Sequence, residues 1–164
     1  MLKRVLYVLF FMLAHLFTYL VIGSLAYLFI TKQFYGAVDP VFSFMRTESQ
    51  PELWKHVMTW LFPGQVLRGI LMGIALLPFM SFFSKISVVR GGFTIASFYF
   101  IFSSLAATSP NVSNIEGLIY LLPEYINLKT FFLTQPEMII QALALGFLFC
   151  WFLKAKRYKA LEEK

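Results

Sequence analysis

The chain has 164 residues, of which 59% are hydrophobic and 13% are charged, and its formal net charge is +6. Soluble domains are typically about 45–50% apolar and about 25% charged. The composition therefore excludes a disordered chain and argues against a soluble globular domain. The single cysteine, Cys150, excludes an internal disulfide. Because the apolar residues are concentrated in long runs, we expect an integral membrane protein.

Four apolar runs predict four membrane-spanning helices. They are expected at residues 5–31, 65–84, 91–108 and 136–153. Each approaches or exceeds the ~20 residues that a helix needs to cross a bilayer core. Helices are expected because backbone polar groups cannot remain unpaired in lipid. The predicted fold is all-α: a polytopic bundle of four transmembrane helices, with a short outer-face helix and an apolar outer segment, in one membrane domain covering 1–164.

The first run follows Lys3-Arg4, and a basic start before an apolar core is also typical of a signal peptide. However, the run from Val5 to Ile30 is about 26 residues long, whereas a signal-peptide core usually has about 7–15. We therefore expect a retained span. At ~1.5 Å per residue it is longer than the bilayer core requires, so it should tilt or project.

The distribution of Lys and Arg predicts the orientation of the spans. Basic residues precede the first span, separate the second from the third, and fill the tail 154–164. An even number of spans places these regions on one side, which the positive-inside rule makes cytoplasmic. Both termini are thus predicted to be cytoplasmic in a plasma-membrane protein, with 32–64 and 109–135 as outer segments. With the basic residues assigned to topology, no signature of nucleic-acid binding remains.

The first outer segment contains a predicted short helix. Ser49-Gln50-Pro51-Glu52 has the pattern of a capping box, and Pro63-Gly64 is a stop signal. This helix either lies in the membrane interface, with tryptophans at headgroup depth, or packs on the outer end of the bundle. Thr134-Gln135-Pro136-Glu137 repeats the capping pattern and predicts the start of the fourth span.

The second outer segment is apolar from Ile115 to Leu133 but is interrupted by Pro123. It is too broken for a fifth span, so it either lies on the membrane surface or re-enters the bilayer shielded by protein. A long apolar outer surface is also typical of a docking site for another membrane protein.

Small residues recur at four-residue spacing in two spans: Gly69 and Gly73 in the second, and Ala142 and Gly146 in the fourth. Such spacing lets neighbouring helix backbones approach closely. The simplest interpretation is helix packing inside one bundle. The alternative is a homo-oligomer, or contact with a partner membrane protein.

Polar residues inside spans are costly and are therefore candidate functional residues. His15 lies near the middle of the first span, with Thr18 and Tyr19 at helical spacing, and Gln141 lies one turn into the fourth span. These side chains either line a proton or transport pathway or form hydrogen bonds to neighbouring helices.

The sequence makes a specific prediction about the depth and the contacts of Arg68. An unbroken helix from Arg68 to Lys85 would place the arginine about 25 Å from the cytoplasmic end, just inside the outer hydrocarbon boundary. There its guanidinium either snorkels outward or is clamped by hydrogen bonds that attach the outer segment to the bundle. The predicted acceptors are the carboxylates of Glu116, Glu124 and Glu137 and the carbonyls of 114–120.

No catalytic or phosphate-binding motif is found, and the two histidines do not form a metal-ligand pattern, so no catalytic, metal or cofactor residues are predicted. We expect a non-enzymatic subunit or accessory protein that binds the lipid bilayer and partner membrane helices. The alternative is a small transporter or channel with a polar pathway around His15 and Arg68. Transport is disfavoured because no acidic residue lies deep in a predicted span.

Overall fold

The structure is a computed structural model that describes residues 2–32, 46–107, 111–121 and 123–155. Four long helices pack together, and each is long and apolar enough to cross a membrane. No strand occurs in the described residues, so the predicted all-α, four-helix bundle is confirmed. The helices are, in chain order, α1 (Leu2–Ala26), α2 (Pro51–Ala75), the short α3 (Met80–Lys85), α4 (Val88–Phe100), the short α5 (Ile115–Tyr120) and α6 (Leu128–Lys154).

Helix α1 continues without a break into a π-helical turn, Tyr27–Thr31. Together they span 30 residues, or about 45 Å. One helix therefore covers the predicted first span, 5–31, and begins one turn before it. Buried residues such as Tyr7, Phe11 and Thr18 recur at helical spacing, so one stripe of α1 faces the bundle.

Helix α2 corrects the predicted boundary between the outer helix and the second span. The chain is helical from Pro51 to Ala75 and passes directly through Pro63 and Gly64, the predicted stop signal. An interior proline removes a backbone hydrogen bond, but neighbouring groups can compensate for it in membrane helices. The predicted outer-face helix is therefore present, but it is the first half of one continuous helix.

The predicted capping box at Ser49-Gln50-Pro51-Glu52 is wrong. Gln50 is the cap residue of α2, and no side chain caps this end. The Ser49 hydroxyl instead lies 2.6 Å from the Thr47 hydroxyl, so it is engaged in the preceding turn. Pro51 occupies the first helical turn, where its missing N–H costs nothing.

The second span also ends earlier than predicted. A 3-10 turn at Leu77–Phe79 follows α2, and α3 then runs to Lys85. Pro78 lies in this turn, and proline disfavours the helical conformation of the residue before it, so the predicted helix over 65–84 is interrupted. Arg68 consequently lies about 10 Å from the end of α2, much closer to this end of the bundle than the unbroken helix implied.

Helix α4 begins at Val88, where the Ser87 side chain accepts a hydrogen bond from the Arg90 amide. It ends in a second π-helical turn, Ile101–Leu105. The third span is therefore found close to its predicted position, shifted by one turn toward the N-terminus. Residue 108, its predicted end, lies outside the described residues.

Helix α6 begins well before the predicted fourth span, 136–153. The Asn127 side chain caps it by accepting from the Thr130 amide, and the helix continues through Pro136. The predicted cap at Thr134 is wrong, because the Thr134 hydroxyl donates to the Phe131 carbonyl inside the helix. The last part of the predicted outer segment 109–135 thus belongs to α6.

The rest of this outer segment folds back onto α6. Asn114 caps α5 by accepting from the Gly117 amide. From α6, the Gln135 amide donates a 3.0 Å hydrogen bond to the Ser113 carbonyl. This segment is therefore a short, capped helix held beside the first turns of α6.

Helices α1 and α6 form the centre of the bundle, α2 packs on α1, and α4 packs on α6. Glycines set both outer contacts. A Cβ on Gly69 would lie 3.0 Å from the Met12 Cα, and a Cβ on Gly73 would lie 3.2 Å from the Val8 Cα. Gly146 of α6 is closer still to the α4 backbone, because a Cβ on it would overlap the Gly92 carbonyl oxygen. These small residues therefore serve contacts inside the bundle, as the simpler interpretation predicted.

Basic residues collect where the N-terminus of α1, the end of α3, the start of α4 and the end of α6 meet. Arg4 lies beside the turn that contains Pro78. The Lys154 ammonium donates to the Ser84 carbonyl. Residues 156–164 of the predicted basic tail lie outside the described residues. We name this region the basic end of the bundle, defined by Lys3, Arg4, Lys85, Arg90 and Lys154.

Candidate functional site

Polar side chains from all four long helices lie near the middle of the bundle. Their backbone positions follow from the glycine contacts, which fix α2 against α1 and α4 against α6. Within this set, His15 is 1% exposed, and Tyr99 and Gln141 are also buried. We name the set the polar row: His15, Tyr19, Gln65, Arg68, Tyr99, Glu137 and Gln141.

His15 connects α1 to α2. Its ring Nε2 lies 3.0 Å from the Gln65 Oε1, so the protonated Nε2 donates to the amide oxygen. The other ring nitrogen, Nδ1, has no hydrogen-bond partner among the described residues. The ring centroid lies 6.0 Å from that of Tyr19 and 6.2 Å from that of Tyr99. His15 therefore makes the predicted helix–helix hydrogen bond and also retains one unused polar atom.

Arg68 is exposed on α2, and the predicted clamp is wrong. Among the described residues, its guanidinium forms no ion pair with a carboxylate and no hydrogen bond to the carbonyls of 114–120. The guanidinium carbon instead lies 5.8 Å from the centroid of the Tyr99 ring. This cation–π contact stabilises the charge only in part, because it supplies no hydrogen-bond acceptor.

The depth of Arg68 explains why the clamp does not form. Its neighbour Gly69 packs against Met12, so Arg68 lies about 15 Å from the start of α1 and about 28 Å from the end of its π-helical turn. Glu137 lies beside Gly23, about 16 Å further along α1 than Met12. Glu137 therefore lies closer to the outer end of the bundle than the backbone of Arg68 does, and the two side chains form no ion pair.

Glu137 and Gln141 lie one turn apart on α6 and both approach Gly23 of α1. A Cβ on Gly23 would lie 3.8 Å from the Glu137 Oε1 and 3.9 Å from the Gln141 Nε2. The Gln141 Nε2 is buried without a partner, and Glu137 forms no ion pair or hydrogen bond within the described residues. The predicted start of the fourth span at Pro136 placed Glu137 at a helix end, but it lies inside α6.

A cavity of about 680 Å³ opens between α1, the first half of α2, and Glu137. It lies on the far side of the Gly69 contact from the basic end. The π-helical turn of α1 contributes Tyr27, Leu28 and Thr31 to its wall. Tyr19 joins this cavity to the polar row, but His15 does not line it. The remaining wall is formed by Leu20, Gly23, Ser24, Arg46, Trp54, Val57 and Leu61.

The other candidate acids do not join this site. Glu116 is half-buried in α5, and Glu124 is exposed in the turn at Pro123–Tyr125. Ala142 is buried in the core beside Gly146, which fits a packing role. The structure thus brings His15, Gln141 and Glu137 toward the bundle interior and leaves Glu116 and Glu124 outside it. Arg68 stays exposed on α2, with its guanidinium near the Tyr99 ring.

Sequence reasoning missed Gln65, Tyr99 and the cavity wall. Gln65 carries a usable signal, because it lies one turn before Arg68 on the same predicted helix. Tyr99 gave no such signal, since it stands among many aromatic residues of its span. Trp54 was placed in a separate outer helix, so its position opposite α1 was not foreseen.

The class of protein follows from the fold and the surface together. The four long helices expose large apolar side chains around the bundle, including Phe17, Phe29 and Phe102. Such a surface is stable only in contact with lipid or with other apolar surfaces. The four long apolar helices and this surface are compatible with an integral membrane protein. No family model, curated protein or solved structure matches it.

Proposed function

We propose that the protein is a non-enzymatic subunit or accessory protein that binds a partner membrane helix through α2, with Arg68 as the recognition residue. One observation carries the proposal: Arg68 is an exposed cation at mid-depth, without a carboxylate partner among the described residues. A charged residue at the centre of a bilayer costs at least about 2.5–3.5 kcal/mol. An acidic side chain from a partner helix would offset this cost.

The surface around Arg68 supports the proposal. Of the apolar stretch of α2, 11% of the residues are buried in the bundle, compared with 39% for α6. Gly64 lies one turn from Arg68 on the same face, and nothing lies within 4 Å of a Cβ built on it. Leu71 is exposed one turn further on. A partner helix can therefore approach this face closely and reach the guanidinium.

The proposed partner is a transmembrane helix with Asp or Glu near its centre, because a carboxylate matches the planar guanidinium with two hydrogen bonds. Purification from native membranes in a mild detergent should recover such a protein in stoichiometric amount. Arg68→Gln should abolish recovery, while Arg68→Lys should retain part of it. Gly64→Leu should also prevent recovery by blocking close approach, although Arg68 is intact.

Arg90→Gln is the matched control, because Arg90 is an exposed basic residue at the basic end, away from the α2 face. It should leave partner recovery unchanged. The decisive experiment is a charge exchange: Arg68→Glu should lose the partner, and replacing the partner's membrane acid by Lys should restore it. Equal recovery with Arg68→Gln and wild type, in protein of equal stability, would contradict the proposal.

The proposed location is the plasma membrane, with four passes and both termini in the cytoplasm. The clustering of basic residues at the basic end supports this orientation through the positive-inside rule. Reporters fused after Lys164 should be active only in the cytoplasm. Lys55, in the opposite half of α2, should react with an impermeant reagent from outside the cell. Reaction of Lys55 and the tail from one side would contradict the four-pass arrangement.

A small transporter or channel is the second candidate, and the unpartnered buried atoms His15 Nδ1 and Gln141 Nε2 favour it. Buried polar atoms without partners are unusual and often mark an exchange site for protons or water. In proteoliposomes this function predicts a protein-dependent proton flux that His15→Leu abolishes. The cavity ends at Tyr19 without reaching His15, so the partner-binding function is better supported.

A further inference from the structure

The cavity on the α1–α2 side of the bundle has the properties of a site for an amphiphilic small molecule. Its volume of about 680 Å³ lies within the range of about 300–1,000 Å³ that is typical of ligand pockets. Its wall is mostly aliphatic and aromatic. Its aromatic residues include Trp54 of α2 and Tyr27 of the π-helical turn after α1. Such a wall favours the apolar part of a ligand, so the few charged groups decide which ligand is preferred.

Glu137 is the charged group at the inner part of the cavity. It lies beside Gly23, about 12 Å along α1 from the end of the π-helical turn. It has no cationic partner within the described residues. Because glycine carries no side chain, Gly23 leaves the carboxylate accessible from the cavity. A ligand that reaches this depth meets the Glu137 carboxylate, whose negative charge no side chain of the described residues neutralises.

Arg46 is the other charged group of the wall, and it is exposed in the segment that precedes α2. An exposed arginine is already solvated by water or by headgroups, so it gains less from a ligand than a half-buried carboxylate does. In addition, Tyr19, Tyr27 and Trp54 offer aromatic faces, which attract cations and repel anions. The electrostatic preference of the inner cavity is therefore for a cation.

We propose that this cavity binds a lipophilic monocation, with the positive centre beside Glu137 and the apolar groups against Trp54 and the α1 wall. This inference does not rest on the proposed partner-binding function, because neither Arg68 nor Gly64 lines the cavity. The two sites share one face of α2 but lie at different depths, since Trp54, Val57 and Leu61 all precede Gly64 and Arg68 along the helix.

Tetraphenylphosphonium is a suitable probe, because it is a lipophilic cation without hydrogen-bond donors. Trp54 gives a direct readout in the full-length protein after Trp60→Phe and Trp151→Phe, which leave it as the single tryptophan. The cation should change Trp54 fluorescence with saturation. Glu137→Gln should weaken binding by at least about tenfold. Gly23→Leu, which fills the space beside the carboxylate, should abolish saturable binding.

Tetraphenylborate is the matched probe control, since it has the same shape and the opposite charge. It should give only the non-saturable signal of partition into the detergent or lipid. Glu116→Gln is the matched variant control, because it removes a carboxylate outside the cavity and should leave tetraphenylphosphonium binding unchanged. Thermal unfolding of each variant establishes that the bundle is intact.

The competing outcomes are distinct. Saturable binding of tetraphenylborate that Arg46→Gln removes would identify an anion site and overturn the proposal. Equal binding of both ions, unaffected by Glu137→Gln, would identify an acyl-chain cavity filled by lipid and would also overturn it. Loss of partner recovery in Arg68→Gln with intact cation binding would leave this inference standing and test the partner function alone.

Discussion

Gly146 of α6 lies against the Gly92 backbone of α4 so closely that a Cβ on Gly146 would overlap the Gly92 carbonyl oxygen. This contact fixes the distance between the two helices that share the largest interface in the bundle. Because both partners are backbone atoms, neither can move aside without shifting a helix. The position therefore tolerates no side chain.

Gly146→Ala should consequently destabilise the bundle by about 1–3 kcal/mol, the usual cost of overpacking a core. Gly69→Ala should cost less, because its nearest neighbour, the Met12 Cα, is 3.0 Å away, so a smaller shift of the helices relieves the contact. Gly64→Ala is the control, since nothing lies within 4 Å of its Cβ position. It should be neutral or stabilising by about 0.5–1 kcal/mol. The free energy of unfolding of each variant, measured by reversible unfolding in mixed micelles, gives this ranking. An equal change in the three variants would contradict the close helix contacts at Gly146 and Gly69.

The hydrogen bond between His15 and Gln65 should contribute a measurable coupling between α1 and α2. Such bonds in membrane bundles average about 0.6 kcal/mol and reach about 1.7 kcal/mol. A double-mutant cycle with His15→Leu and Gln65→Leu should give a coupling energy in this range. Pairing His15→Leu with Thr94→Val provides the control, because the Thr94 hydroxyl donates to the Arg90 carbonyl on α4. That control cycle should show no coupling, whereas a zero value for the first pair would exclude the bond.

The number of spans was predictable from the sequence because it depends on composition summed over about 20 residues. The helix ends were not, because they depend on single local interactions. The sequence predicts helix boundaries at Pro63 and Pro136, as in a water-soluble protein, yet both prolines lie inside helices. It predicts Pro78 inside a span, yet Pro78 marks the break after α2. The sequence does not distinguish these prolines, since the difference arises from packing around each one.

The error in the depth of Arg68 follows directly from Pro78. With an unbroken second span, Arg68 lies near the outer boundary and within reach of outer carboxylates. With α2 ending at Ala75, Arg68 moves toward mid-depth, and its nearest identified contact is Tyr99. The sequence singles out Arg68 by its charge, because the cost of placing a charge in the membrane does not depend on register. The contact of Arg68 with Tyr99 could not be predicted, because the depth of Arg68 depends on where α2 ends.

Asn114 should be the main stabilising residue of the outer segment. Its Oδ1 accepts from the Gly117 amide at 2.8 Å and from the Asn111 amide at 3.0 Å, and its Nδ2 donates to the Ala107 carbonyl. Asn114→Ala should cost about 1–2 kcal/mol and expose α5 to proteolysis. Asn114→Asp retains the acceptor and should restore most of this loss.

Asn127→Ala offers the comparison for this prediction, because Asn127 also caps a helix but accepts only from the Thr130 amide. Its cost should be smaller than that of Asn114→Ala. Limited proteolysis followed by mass spectrometry locates the opened segment. Cleavage within 111–121 in the Asn127 variant alone would contradict the assignment of Asn114 as the main cap.

Cys150 should report global unfolding of the bundle. Its side chain is 1% exposed in the core, and a Cβ on Gly91 of α4 would lie 2.7 Å from its sulfur. A maleimide reagent can reach the thiol only when α4 separates from α6, because Gly91 of α4 packs directly against the sulfur. The folded protein should therefore remain unlabelled in mild detergent and take up one equivalent in SDS.

Thr59→Cys, at an exposed position of α2, should add one equivalent that reacts at once. Gly91→Ala should accelerate labelling of Cys150 without affecting the second site, since it forces α4 away from the thiol. Rapid labelling of Cys150 in the folded wild type would show that the α4–α6 interface opens without unfolding.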